Sequence, residues 1–406
     1  MIDFEIDPKL KMLREMARAF AKAEMRPIAL ECDRTYTPKD SFLIKAYRAG
    51  ISLGGAPRSV SKTESEFFGA NAKGAERTTN RLAALSAEEL CWGDAALLMS
   101  LPGPGLGGPP LAFTGTPEQQ KKYFSIFSKE DPLHFGAYGL TEPGAGSDVS
   151  GISTTCRKDG DYYVLNGTKC FITNGGKADW VVVFGTLDKS KGKAAHRAFM
   201  VEKGAPGFTV GKIEKKMGLR CSETAELILD NVRLHKDQLL GGEAHYEKLG
   251  SGGFKTAMKT FDSTRPMVAS MALGITRAAY EEGVAFAKAA YCLSRPLPHY
   301  QSLRDKLAQW ERKIEAARLL IWHAAWMSDL GIPNSKEASM SKAYAGKISK
   351  EICREVYELV AGRGWPQEAF VDKWFRDIQI FDIFEGTGQV QRLIISRRFM
   401  EGLSID

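Results

Sequence analysis

The sequence has no run of apolar residues approaching the roughly 18 that a membrane-spanning helix needs, so no bilayer span is expected. Its first residues, Met1-Ile2-Asp3-Phe4-Glu5-Ile6-Asp7, lack the basic and then apolar stretches of an export signal, which points to a cytoplasmic protein. Cysteine is sparse. The seven residues (Cys32, Cys91, Cys156, Cys170, Cys221, Cys292, Cys353) are odd in number and scattered, with no Cys-x-x-Cys pair, so they read as reduced, mostly buried thiols rather than a disulfide framework. No two of the six histidines lie within four residues of each other, so a helical metal pair is lacking and no metal is expected. Neither sign of charge dominates: a net +7 is modest and diffuse, gives no case for nucleic acid, and suits at most a polyanionic ligand such as a nucleotide. A Gly-x-Gly-x-x-Gly between a strand and a helix is also missing, which argues against a Rossmann dinucleotide fold.

What is present is an ordinary globular composition, 44% hydrophobic and 26% charged over 406 residues, enough for two to three domains. From Pro8 to about Cys32, Leu10, Leu13, Met16 and Phe20 recur at spacings of three and four, the pattern of an amphipathic helix. Further helices are expected at about 38–49, 78–91 and 117–128, the last opening on Thr116-Pro117-Glu118, an N-cap followed by proline. Between them Leu101 to Pro110, rich in glycine and proline, reads as a loop. Near residue 135 the pattern changes. Tyr162–Leu165 and Thr168–Thr173 around Asn166-Gly167 predict a hairpin, and Val181–Thr186, Ala198–Glu202, Phe208–Ile213 and Ala225–Leu229 predict further strands of a small antiparallel sheet. Lys189 to Lys193 reads as a solvated hairpin tip. From about Glu247 the helical period returns in four long segments, near 253–290, 300–330, 335–361 and 388–402, which suggest a bundle. The expected domains are 1–134, helical; 135–245, sheet; and 246–406, helical.

Three strings can carry chemistry. In Tyr138 to Asp148, small residues allow close approach to a flat or phosphorylated ligand, and Thr141 and Ser147 offer hydroxyls; read alone, the string is equally a polar turn entering a sheet. In Thr168 to Gly176, Phe171 and Thr173 two residues apart on a strand share a face, where a ring can pack beside a planar cofactor and a hydroxyl can bond its edge; a hydrophobic strand ending in a glycine turn is the other reading. In Ile383 to Arg392, Thr387 can cap a helix with Val390, Leu393 and Ile394 facing a core. That leaves Glu385 either as a charge favoured by the helix N-terminus or, beside Phe384, as a desolvated carboxylate base.

Together, in this order and spacing, the three strings resemble the acyl-CoA dehydrogenase family over nearly the whole chain, from Gly115-Thr116 through Arg392. The resemblance implies a multi-domain α and β fold with an N-terminal helical domain, a middle antiparallel β-barrel and a C-terminal four-helix bundle. It also implies FAD as cofactor, an acyl-CoA substrate, an electron-transfer flavoprotein as acceptor, and a homotetramer built as a dimer of dimers. Glu385 would take a proton from the carbon next to the thioester carbonyl while flavin N5 accepts a hydride from the following carbon, and the Glu385 amide, with a ribityl hydroxyl, would donate to that carbonyl. Leu140, Thr141, Phe171 and Thr173 match flavin-lining positions, and Gly362, Thr387 and Gln389 match further cofactor contacts. Ser147 matches a flavin- or CoA-facing hydroxyl, and Phe261, Asp262, Arg265, Phe384 and Gly386 match the substrate side. Some relatives carry the base on a bundle helix; the matching position here is Thr264, which cannot serve.

The chain departs from the family pattern in three places. Phe171 stands where tryptophan is usual, the segment Cys292 to Leu297 is shorter and lacks the customary Arg-x-x-Phe-Gly, and Ala361-Gly362-Arg363-Gly364 replaces Gly-Gly-x-Gly ahead of a bulky Trp365. Phe384 in place of tyrosine, Trp92, and the Leu101–Pro110 segment point to a cyclic, branched or aromatic-derived acyl group. The same residues serve an enoyl-CoA reductase running in reverse. An acyl-CoA oxidase, or a weakly active partner subunit of a mixed tetramer, are the other readings.

Overall fold

The computed structural model describes residues 6–52, 78–249, 253–292 and 300–401, with the side chains of 248–249, 253–261, 263, 291–292 and 300 outside that description. The chain runs from helices to sheet and back to helices. The first part holds α1 (Pro8–Phe20), α2 (Ala29–Thr35), α3 (Asp40–Arg48), α4 (Thr79–Met99), α5 (Gly108–Thr114) and α6 (Pro117–Phe124). The Pro8–Cys32 periodicity is carried by α1 and α2 with a wide turn between them, where Pro27 withholds a backbone donor. Helix α6 starts as its sequence predicts: the Thr116 hydroxyl accepts from the Gln119 amide and the Gln119 side chain answers on the Thr116 amide. Leu101–Pro110 is not all loop. Pro109 and Pro110 lie in the first turn of α5, where a helix has no use for their missing N–H groups.

Seven strands follow: β1 (Gly136–Gly139), β2 (Thr155–Asp159), β3 (Tyr162–Thr173), β4 (Trp180–Thr186), β5 (His196–Glu202), β6 (Phe208–Ile213) and β7 (Thr224–His235). They form one sheet in the order β1-β4-β2-β3-β7-β6, with β5 on β4. The sheet is mixed rather than antiparallel, because β1 and β2 both pair parallel to β4. Strand β4 is buried throughout, which explains its unbroken apolar run: Val181 and Val183 enter one core, and Trp180, Val182 and Phe184 the other.

Asn166-Gly167 makes no hairpin turn. It lies inside the continuous β3, at a register shift against β7. The Asn166 carboxamide accepts from the Asn231 amide across the strands at 2.8 Å, and Gly167 is needed because a Cβ there would sit 2.4 Å from Thr154 Oγ1. The dipeptide marks a bulge, and the true β2–β3 turn is one step earlier, at Gly160-Asp161.

The last part comprises α7 (Glu243–Leu249), α8 (Gly253–Cys292), α9 (Tyr300–Asp329), α10 (Ser335–Val360), α11 (Glu368–Asp377) and α12 (Gly388–Met400). Helices α4, α8, α9, α10 and α11 share one core through Leu97, Leu273, Trp310, Ile352 and Trp374. Pro266 interrupts α8 and frees the Asp262 carbonyl, which the Asn334 carboxamide approaches at 3.5 Å. The bulky Trp365 is held by two contacts: its indole donates to Glu282 at 3.1 Å and packs edge-on against Phe286. All six described cysteines are buried and free. No helix among the described residues is long and apolar enough to cross a membrane.

Candidate active site

The end of β1, the end of β3, the middle of α8 and the turn before α12 meet at a cleft of about 1870 Å³. That exceeds the roughly 300–1,000 Å³ of a site for one drug-sized ligand and leaves room for two. Ten of the residues singled out in the sequence line it: Leu140, Thr141, Ser147, Phe171, Thr173, Arg265, Phe384, Glu385, Gly386 and Thr387.

A buried ion pair fixes the first wall. Lys169 on β3, with no exposed surface, donates to the Glu142 carboxylate at 2.6 Å and to the Leu140 carbonyl at 3.3 Å. The same carboxylate accepts from the Ser153 amide and hydroxyl and from the Thr154 amide. Burial pushes Glu142 up, but the Lys169 charge and hydrogen bond, with Thr154 and Ser153, outweigh it and hold the carboxyl at about 2. The Leu140–Glu142 end of the Leu140–Ser147 segment is thereby tied to β3 and to the residues that lead into β2.

On the second wall, β3 breaks its alternation. Phe171 has φ 58° at a register shift between Lys169 and Ile172, so its ring is 65% exposed at the cleft while Ile172 turns inward. Phe171 and Thr173 reach the same cleft, as expected, but through this bulge rather than through simple alternation. Next to them Asn174 is buried and its amide donates to the Met99 carbonyl at 3.3 Å, while its own Oδ1 has no protein partner among the described residues. An exposed ring, two threonine hydroxyls (Thr141, Thr173) and an unsatisfied buried acceptor make this wall fit a planar, donor-bearing ring system such as the flavin of FAD.

The third element is the turn of Phe384, Glu385 and Gly386. Thr387 caps α12, accepting from the Val390 amide at 3.3 Å. Val390, Leu393 and Ile394 line the cleft instead of facing a core, and the buried side chain of this helix, after Gly388 in its first turn, is that of Gln391. Its carboxamide donates to the Glu385 and Gly386 carbonyls at 3.2 and 3.0 Å. Glu385 takes φ 53°, a costly conformation for a residue with a side chain, held by this surrounding bonding. At Gly386, with φ 95°, a Cβ would lie 2.4 Å from the Gln391 amide nitrogen, so only glycine fits.

The Glu385 carboxylate accepts a hydrogen bond from the Thr264 hydroxyl at 2.7 Å. Burial raises its pKa, and the Thr264 bond and the charges of Lys342 and Arg265 only partly oppose this, so the net shift is upward. Tyr138 on β1 also lines the cleft; burial and the neighbouring Glu385 charge keep its phenol protonated. Position 264, set aside above because threonine cannot be a base, instead donates to the Glu385 carboxylate. Lys342 was not singled out from the sequence. The available signal was its place on the buried stripe of α10, between Ala338 and Ala345.

Other expected residues lie elsewhere. Asp262 pairs with Arg265 at 2.7 Å without lining the cleft, and Gln389 is exposed on α12. Gly362 lies in the turn after α10, its amide donating to Glu368 at 2.7 Å, away from the cleft. The Phe261 side chain and the short segment after Cys292, including Arg295, fall outside the described residues. Trp92 does not line the cleft; its indole donates to Glu281 at 2.7 Å and its ring stacks under Arg26.

Comparison with known proteins agrees with this arrangement. Family models for the acyl-CoA dehydrogenase N-terminal, middle and C-terminal domains match residues 7–130, 137–232 and 251–400. The chain is 36% identical to the 3-(aryl)acrylate reductase of Clostridium sporogenes, over 96% of this chain and 98% of that one. It is 34% identical to the short-chain specific acyl-CoA dehydrogenase of Clostridium acetobutylicum, over 97% and 99% of the two chains. The structure of butyryl-CoA dehydrogenase from Megasphaera elsdenii superimposes with a TM-score of 0.84 at 33% identity, covering 98% of this chain and all of the other.

Proposed function

The chain belongs to the acyl-CoA dehydrogenase family, FAD-dependent oxidoreductases acting on CH–CH bonds, and on that premise we propose that it removes hydrogen from carbons 2 and 3 of an acyl-CoA thioester with Glu385 as the base. The observation that carries the assignment is the Glu385 carboxylate itself, raised in pKa by burial, oriented by Thr264 and set in a strained turn on the wall of the cleft. A carbon next to a thioester carbonyl is a weak acid, and a carboxylate lifted above its ordinary range is a better match for its proton. The backbone N–H of Glu385 donates to the thioester oxygen as negative charge develops there. Leu140, Thr141, Phe171, Thr173 and Thr387 hold the cofactor, Ser147 serves flavin or CoA, and Arg265, Phe384 and Gly386 face the substrate. When bound, FAD supplies the two-electron acceptor for the hydrogen leaving carbon 3.

The same proton can travel the other way, from Glu385 to carbon 2 of an enoyl thioester. The similarity to a 3-(aryl)acrylate reductase favours testing that direction with aryl substrates. We further read the sheet as the family's barrel and α8, α9, α10 and α12 as its bundle. In the cytoplasmic homotetramer we propose, Gly362 and Gln389 reach the FAD of a second protomer, and an electron-transfer flavoprotein takes the electrons.

The test is an anaerobic panel of straight-chain, branched, cyclic and aryl-substituted acyl-CoA thioesters added to the FAD-loaded protein. At least one class is expected to bleach the flavin, with no peroxide formed in air. A protein that binds no FAD would support the partner-subunit reading, and stoichiometric peroxide the oxidase reading.

A further inference from the structure

We propose that Lys342 is a positioning residue for the reaction: from inside the helical core it clamps the strained Glu385 turn and supplies the charge that keeps the base ionised. Its side chain on α10 is 1% exposed and lines no part of the cleft, so it acts through the turn and not on the substrate. The ammonium donates to the Gly386 carbonyl at 2.8 Å, the same oxygen that accepts from Gln391 at 3.0 Å. Two buried donors from different helices thus fix the peptide that follows the left-handed Glu385.

A buried cation under a catalytic turn does more than a neutral donor. The groups facing Lys342 are Asp382 and Glu385 from the turn, Arg265 from α8 and Lys350 on its own helix. Asp382 is already paired with Lys350 at 2.7 Å, and Arg265 with Asp262 at 2.7 Å. Glu385 in turn faces Thr264 and Arg265 from α8, Lys342 from α10 and Tyr138 from β1. Among the described residues Lys342 thus forms no salt bridge of its own: Asp382, which acts on it more strongly than Glu385 does, is held by Lys350. Burial lowers its own pKa, with Asp382 and Glu385 opposing, to about 8, so it carries its charge at neutral pH. That charge favours the ionised form of Glu385.

This inference rests on Glu385 being the base, and the wild type tests that first: if no thioester bleaches its flavin, the functional reading fails before any variant is compared. Given a reducing wild type, Lys342→Met is expected to slow flavin reduction about 10- to 100-fold through misplacement of the turn. It also moves the acid limb of the pH–rate profile upward by about half a unit to one unit, because the rate is lost as Glu385 is protonated and the uncompensated carboxylate protonates sooner. Without any flavin, amide hydrogen exchange at Glu385 to Gly388 should rise in the variant. Lys342→Gln, which keeps a donor but no charge, should recover part of the rate and keep the shifted limb. Gln391→Leu should slow the reaction without moving the limb. An unshifted limb in folded Lys342→Met or Lys342→Gln overturns the proposal, and so does loss of the fold in both, which would make Lys342 a core residue only.

Discussion

Glu385→Gln should abolish substrate-driven flavin bleaching, lowering its rate by at least about 10³-fold, within the usual worth of a positioned general base. The substitution keeps the shape of the side chain, and its carboxamide oxygen can still accept from the Thr264 hydroxyl that now lies 2.7 Å from the carboxylate. The Gln391 and Lys342 bonds to the turn go to backbone carbonyls and are untouched. FAD content and acyl-CoA affinity should therefore stay within a few-fold of wild type, and the loss should fall on the chemical step. A variant that bleaches at a rate near wild type would mean that another group takes the proton. Thr264 cannot do so, and Tyr138, protonated and held so by its surroundings, is ill suited.

Lys169→Met should destabilise the protein by about 3–5 kcal/mol, because it strands the Glu142 carboxylate inside the sheet without its cation. Midpoints in urea, with retained FAD as a second readout, measure the effect, since Lys169 also fixes the Leu140–Glu142 part of the cleft wall. Adding Glu142→Gln to Lys169→Met should restore part of the loss, whereas two independent residues would give additive costs. The pH dependence has a definite sign. Glu142 is depressed to about 2 in the folded protein, so the contribution of its ionisation is fully present above the ordinary glutamate pKa of about 4.3 and is lost as pH falls from there toward 2.

The order of helices, sheet and helices was legible in hydrophobic period, and the strands at 180–186, 196–202 and 208–213 lie close to where alternation put them. What misled was local chemistry overridden by tertiary contact. Asn-Gly favours a turn, yet here Asn166 bridges to Asn231 and Gly167 makes room for Thr154 inside a strand. The Phe171–Thr173 pair reaches the cleft through a left-handed residue that no two-residue period announces. Val390, Leu393 and Ile394 are apolar at helical spacing because they line the cleft, where a period cannot tell a core from a cavity. Glu385, Gly386 and Thr387 could be named from their motif, but the residues that bond the Glu385 carboxylate and the Gly386 carbonyl, Thr264 and Lys342, come from two other helices. Only the fold brings them within reach.

The most direct test of the account is anaerobic stopped-flow reduction of the flavin by an active acyl-CoA thioester, protonated or deuterated at the carbon next to the carbonyl. If Glu385 removes that hydrogen on the way to reduced flavin, bleaching of the wild type is slowed several-fold by the deuterium. Bleaching that is indifferent to deuterium at that carbon, yet proceeds through a chemical step that limits the rate, would contradict it.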